Sequence, residues 1–446
     1  MKLKKLLIII IVLAIILGIA FAVFFFLGER ESSNEDADLN DPFPVGSGPG
    51  FGSVPGITPP SETSPEPDAV EVDANGVVII PTLRKLFDEP TSGVYIYDTV
   101  REVESITYNE DGEDVLETLE VPETKFQIVE RSNGHIYEFN SLDLLSEKLS
   151  NTTIVRVRDM LIGVGGYIYR YLAEYGDTII SFRASFEEND EVSVDNDSAQ
   201  NPSILSGSFL PENILSMTLS DDKTAFAYLV SEGVTQSGLY VSPISIFSPQ
   251  KIADLPISEI EILWPNQDTF MFYTKPDSQA PGNLFELNES GELRTLIADT
   301  YGLSATVSPS GEIAFVSFDT NEGTFTSSIN LSTGAVTNTS DPLQTIAGEK
   351  CVWSNVDDNI IYCAGSTLLA RENFPESWFK GSFFSIDTLW EIDVSTGNSQ
   401  IVSNLTESGV TTSFDMMNLT VSPNDEYLLF INKYDRTPWV LDMRLL

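Results

Sequence analysis

Val307-Ser308-Pro309-Ser310-Gly311-Glu312-Ile313-Ala314-Phe315 reads as a strand end, a tight turn and the start of a second strand. Proline presets φ early in the turn, glycine tolerates a positive φ at its end, and apolar residues flank both. The pattern returns in degraded form as Leu219-Ser220-Asp221-Asp222 with Phe226, Trp264-Pro265-Asn266 with Phe270 and Phe272, Trp353-Ser354-Asn355 with Ile360 to Tyr362, and Val421-Ser422-Pro423-Asn424 with Leu428 to Phe430. First residues of successive copies are 45, 43, 46 and 68 positions apart. A period in the low forties is the length of a four-stranded blade, so the chain is expected to be all-β and to form a β-propeller.

The third strand of each blade ends in a common way: Leu284-Phe285-Glu286-Leu287 before Gly291, Ile329-Asn330-Leu331 before Gly334, and Leu389-Trp390-Glu391-Ile392-Asp393-Val394 before Gly397. Two earlier blades are offered by Val94 to Tyr97 with Phe126 to Glu130 and Ile136 to Phe139, and by Met160 to Val164 with Tyr167 to Tyr171 and Thr178 to Phe182. The count reaches seven blades, with six or eight left open. The last blade runs out of chain after three strands, and Val77 to Ile80 is expected to supply the fourth, hiding an unpaired edge.

These motifs resemble the WD40-like (PD40) repeats of TolB-type propellers, whose units run S-P-D-G-x-x-h-x-F followed by a strand of the L-W-x-h-D type. The resemblance covers residues 212 to 446 well and the region before it loosely. No copy carries the full S-P-D-G, and none of the five copies holds the WD or GH dipeptides of eukaryotic-type WD40 blades. The resemblance implies the propeller fold.

Charge narrows the function classes. With 67 acidic against 24 basic residues, the formal net charge is -43, which repels phosphate backbones, so no nucleic-acid partner is expected. Lys2, Lys4 and Lys5 precede an uncharged run from Leu6 to Leu27. As a helix it reaches about 33 Å at about 1.5 Å per residue, enough for a bilayer core of about 30 Å. Residues 1–28 are therefore expected to be a cytoplasmic stub and single-pass membrane anchor, with everything beyond on the extracytoplasmic side. A cleaved signal peptide is the competing reading, with Ala20-Phe21-Ala22 as its cleavage site. From Glu29 to Glu71 the chain holds eight prolines, five glycines and ten acids against one arginine, a composition that cannot bury a core. Residues 29–75 are expected to be a linker and residues 76–446 the propeller.

Cys351 and Cys363 flank the turn of one predicted hairpin and face each other if it folds about Asp357, so a disulfide is expected; two buried free thiols are the alternative. Two thiols and one histidine, His135, make no zinc site and no nucleophile-base triad. Glycine-rich phosphate loops are absent, Asn109 to Asp114 lacks the alternating ligands of a calcium loop, and neither cofactor nor metal is expected.

The strongest interaction candidate is the extra length in the blade of Trp353. Between its second and third strands lie Arg371, Phe374, Trp378, Phe379, Lys380, Phe383 and Phe384. Loops of this class leave the blade on the same face as the blade-to-blade connections, so the segment is expected to overhang the mouth of the central channel. Aromatic residues beside Arg and Lys anchor protein interfaces and also stack on sugar rings; alternatively they pack into a small core of their own. Together these readings point to a non-catalytic module binding or scaffolding an envelope protein or polypeptide. The alternative is a glycan-directed protein, a lectin-like binder or a glycosidase using paired carboxylates.

Overall fold

The computed structural model describes residues 82–445, apart from 109–113, 142–145, 187–202, 368–372 and 404–411 and the single positions 175, 177, 289, 321 and 322. The expected anchor, the linker, Val77 to Ile80 and Arg371 lie outside the described residues. Among the described residues no helix is long and apolar enough to cross a membrane.

Seven four-stranded antiparallel sheets follow one another along the chain as the blades of a β-propeller. Their innermost strands are Thr91–Tyr108, Val157–Gly163, Ile214–Leu219, Ile260–Asn266, Ser304–Val307, Cys351–Trp353 and Met416–Val421. Each touches the next, and the last touches the first, which closes the ring around a channel. The outermost strand of blade 7 is Leu83–Lys85, paired with Pro438–Asp442 in the register Leu83↔Leu441, Arg84↔Val440 and Lys85↔Trp439. The closing strand thus falls several residues later than the expected Val77 to Ile80. Leu83 explains the choice: it is buried among Phe414, Phe430, Trp439 and Leu441, between blades 6 and 7.

The repeating serine is the structural signature of the inner turns. Ser220, Ser308 and Ser422 are buried, and each hydroxyl accepts the backbone N–H five residues on, from Ala225, Ile313 and Tyr427. Ser354 caps its own turn by accepting from Val356 and Asp357. A buried turn amide without such a partner costs about 1–3 kcal/mol, which is reason enough for serine to persist where the surrounding motif has decayed. Gly311 takes the left-handed position of its turn with φ 78°, and Lys223 and Asp425 occupy the equivalent position at φ 56° and 57°. In blade 4 the turn shortens to the pair Asn266↔Thr269, which needs no serine.

The apolar core lies between blades. Ala227, Leu229 and Leu239 of blade 3 pack with Ile260, Ile262 and Phe272 of blade 4, and the other interfaces repeat the scheme. Removing a side chain of this size from water contributes about 1.5–3 kcal/mol each. Cys351 and Cys363 pair directly across the first two strands of blade 6 and are joined by a disulfide.

Blade 1 departs from the plan. Its first two strands, Thr91–Tyr108 and Asp114–Glu130, are 18 and 17 residues long. The third strand pairs only with Lys125 to Val129. The ladder from Asp98↔Thr124 to Tyr108↔Asp114 therefore continues beyond the blade as a two-stranded ribbon.

Candidate functional site at the channel mouth

Strand direction sorts the charged residues of the channel. Asp159 and Glu261 stand at the start of inner strands, and Glu349 immediately precedes one. Arg170 and Lys275 stand at or just beyond the ends of second strands, and Lys433 follows the second strand of blade 7. All six gather on the face where blade-to-blade connections and second-to-third-strand loops emerge. The long insertion of blade 6 leaves from that same face.

Carboxylates crowded in a protein-lined space repel one another and lose hydration, so their protonated forms gain. Burial raises the Glu349 carboxyl to about 7, with Glu261 and Asp159 adding to the rise against Lys433 and Lys350. Glu261 is raised first by burial, opposed by the Ser216 hydroxyl it accepts at 2.6 Å and by Lys275. Asp159 is also raised by burial and drawn back by Arg170, 3.6 Å away. Its side chain nevertheless keeps 47% of its surface open to the channel. A carboxyl that holds its proton near neutrality, as Glu349 does, is able to donate that proton, one of the two roles that acid-base chemistry on sugars requires.

Over this mouth sits the insertion, and its aromatic residues divide into two groups. Phe374 and Trp378 are buried, packed with Ile346, Phe383 and Met417. The short helix α1, Ala347–Lys350, brings Lys350 beneath them, and α2, Glu376–Phe379, carries Trp378. Lys350 Nζ donates to Asp387 Oδ2 at 2.6 Å, to Asp415 Oδ1 at 2.5 Å and to Ser385 Oγ at 2.6 Å. Asp415 is a hub: it also accepts the Trp378 indole N–H and the Ser385 amide. Two buried carboxylates face one buried ammonium, and burial pushes Asp387 up while Lys350 pulls it down. Lys433 lies 3.7 Å over the Trp378 ring and donates to the Trp378 carbonyl at 2.5 Å. Burial lowers its ammonium to about 8.

Phe379 and Phe384 face outward, 45% and 38% exposed, with Lys380 also exposed and Ile386 beside them in the segment. Phe384 stacks on Tyr434 of blade 7 with ring centres 5.0 Å apart. At its other end the insertion reaches blade 4, where Glu376 Oε1 accepts the amide and hydroxyl of Ser278 at 2.6 and 2.8 Å. The segment thus leaves blade 6 and is held to the loops of blades 4 and 7 on that face. The seven residues expected to form one binding surface are therefore not one surface. Phe374 and Trp378 are core, Phe383 is half-buried against them, Phe379, Lys380 and Phe384 are exposed, and Arg371 lies outside the described residues. Aromatic composition alone does not sort inward from outward side chains; the buried Lys350, Asp387 and Asp415 do so, and nothing in their spacing announces it. Among the described residues no group of His, Cys, Asp or Glu is arranged to hold a metal ion.

No protein-family model matches the sequence, and no curated protein does. Solved structures similar to the chain include an oligogalacturonate lyase in complex with manganese, at 11% identity and TM-score 0.46 over 79% of this chain and 98% of that one. TolB from Acinetobacter baumannii is similar at 9% identity and TM-score 0.35, over 78% and 79% of the two chains. The β-propeller domain of the Trilobed protease from Pyrococcus furiosus is similar at 10% identity and TM-score 0.44, over 77% and 95%. At these scores the likenesses carry no argument about the chain; its β-propeller rests on the seven sheets described above.

Proposed function

We propose that the chain is a membrane-anchored, extracytoplasmic propeller that acts as a non-catalytic binding or scaffolding module, with an envelope protein or polypeptide as its partner. Residues 6–27 serve as the anchor in this reading, and residues 29–75 as the tether. The observation that carries the binding role is the division within the insertion. Trp378 and Phe374 fix it to the ring, while Phe379, Phe384 and Lys380 remain exposed over the channel mouth. Apolar side chains held on a rigid base lose little freedom on binding, which is how a few of them come to dominate an interface. Crosslinking on intact cells, with Phe379→Ala/Phe384→Ala beside the unaltered chain, tests it. Neighbours captured by the unaltered chain and lost from the variant support the role; identical capture by both refutes it.

The raised Glu349 beside Glu261 and Asp159 favours a second reading, a glycan-directed mouth. In that case calorimetry with neutral and acidic oligosaccharides gives heat that Glu349→Gln removes.

A further inference from the structure

The ribbon of blade 1 projects at the opposite end of the ring from the insertion, because it prolongs the turn between first and second strands. We propose that this ribbon and the cleft at its root are a docking site for an extended cationic polypeptide segment, which adds a strand along the ribbon and sets a lysine or arginine against Glu123. The proposal is independent of what the insertion binds.

Three observations converge. The first is charge: the two strands of the ribbon, residues 98–108 and 114–124, hold seven acids, namely Asp98, Glu102, Glu104, Asp114, Glu117, Glu120 and Glu123, against Arg101 alone. Glu102 and Glu120 stand directly opposite each other in the register, a like-charge pair that weakens the ribbon in isolation. The second is backbone: among the described residues no third strand continues along the ribbon beyond Lys125. A two-stranded ribbon in water is marginal by itself, and its unpaired groups are a template for another strand.

The third is a cleft of about 350 Å³ where the ribbon leaves the blade, lined by Thr99, Arg101, Glu123, Lys125, Glu138 and Glu147 among others. Lys125 does not neutralise all of it. Its ammonium is bonded at 2.6 Å to Glu138, which also accepts from the Tyr97 hydroxyl and the Gln127 amide. Glu123, by contrast, is 5% exposed, and its Oε1 accepts no hydrogen bond. A buried carboxylate oxygen without a donor calls for one, and an incoming ammonium or guanidinium supplies it. A second copy of this chain, a nucleic acid or an anionic bilayer would bring more negative charge and be repelled, which leaves a cationic polypeptide.

Fluorescence anisotropy of the full-length protein with labelled (Lys-Val)5, and with (Ser-Val)5 for comparison, tests the proposal. The lysine peptide is expected to bind about tenfold or more tighter than the serine peptide. Glu102→Lys/Glu120→Lys should weaken it about tenfold, and Glu123→Gln about threefold or more. Because the whole chain is acidic, Asp268→Lys/Glu292→Lys on blade 4 makes the same change in net charge elsewhere and should leave binding within about twofold. Equal losses from the blade 1 and blade 4 reversals would overturn the proposal, since general attraction would then explain all binding, and so would equal affinity for the two peptides. Far-ultraviolet circular dichroism checks folding, and Glu120→Gln, at an exposed position, reads the same site if the double reversal fails to fold.

Discussion

Trp378 donates its indole N–H to both carboxylate oxygens of Asp415, at 2.9 and 3.1 Å, and so ties the blade 6 insertion to the residue immediately before the inner strand of blade 7. The bond makes Trp378 part of the fold and gives the exposed Phe379 a fixed place beside it.

Trp378→Ala should therefore lower stability by about 3–5 kcal/mol, because it empties a buried site and strips a donor from a buried carboxylate. Phe379→Ala should change stability by less than about 1 kcal/mol while reducing partner capture. Urea midpoints of the two variants check this; similar midpoints would contradict the inward and outward assignment.

Lys350 holds two buried acids. Lys350→Met leaves Asp387 and Asp415 without their cation and should cost about 3–5 kcal/mol, whereas Lys350→Met with Asp387→Asn and Asp415→Asn should recover most of that. A triple variant no more stable than the single one would show that these charges are not what Lys350 balances.

Stability should fall from pH 5 to pH 8 in part through Glu349. Below about pH 4.5 this carboxyl is protonated in both folded and unfolded chains. Between there and about 7 only the unfolded chain releases its proton, so stability declines as pH rises through that window and levels off above it. Glu349→Gln should flatten the profile, by up to about 3 kcal/mol at pH 8. Chemical denaturation at pH 5 and pH 8 measures it, and an unchanged difference between the two would refute the assignment.

Leu83→Asp should destabilise the ring by about 3 kcal/mol or more, since it puts a charge among Phe414, Phe430 and Leu441. Thermal midpoints of the variant and the unaltered chain check this; equal midpoints would contradict Leu83 as the buried residue of the closing strand.

Reduction should lower stability by about 2–3 kcal/mol, through the short loop between Cys351 and Cys363. In unfolded, unreduced protein both cysteines should resist alkylation; mass spectrometry showing two alkyl groups would exclude the bond.

The ring was legible because its turns repeat a chemical requirement: Ser220, Ser308, Ser354 and Ser422 cap buried amides, and their spacing exposes the blades. The ribbon went unread although part of its signal was present. Asp111-Gly112, a turn dipeptide, lies between two runs that hold Val103, Ile106, Val115 and Leu119, but these apolar residues keep no strict alternation among the acids, so no strand period stands out. The insertion was found by its length, and a small core of its own stood as the alternative to a binding surface; which residues turn inward was not legible, because Lys350 and Asp415 meet across a separation of 65 residues that no local pattern encodes.

The three-residue ladder between Leu83–Lys85 and Pro438–Asp442 also sets how the molecule bears mechanical load. Any pull along the chain preceding Thr82 arrives first at this seam, where Asp442 donates its amide to the Thr82 carbonyl. The ring's closing strand, Leu83–Lys85, therefore stands first in the path of any such load, ahead of every other blade.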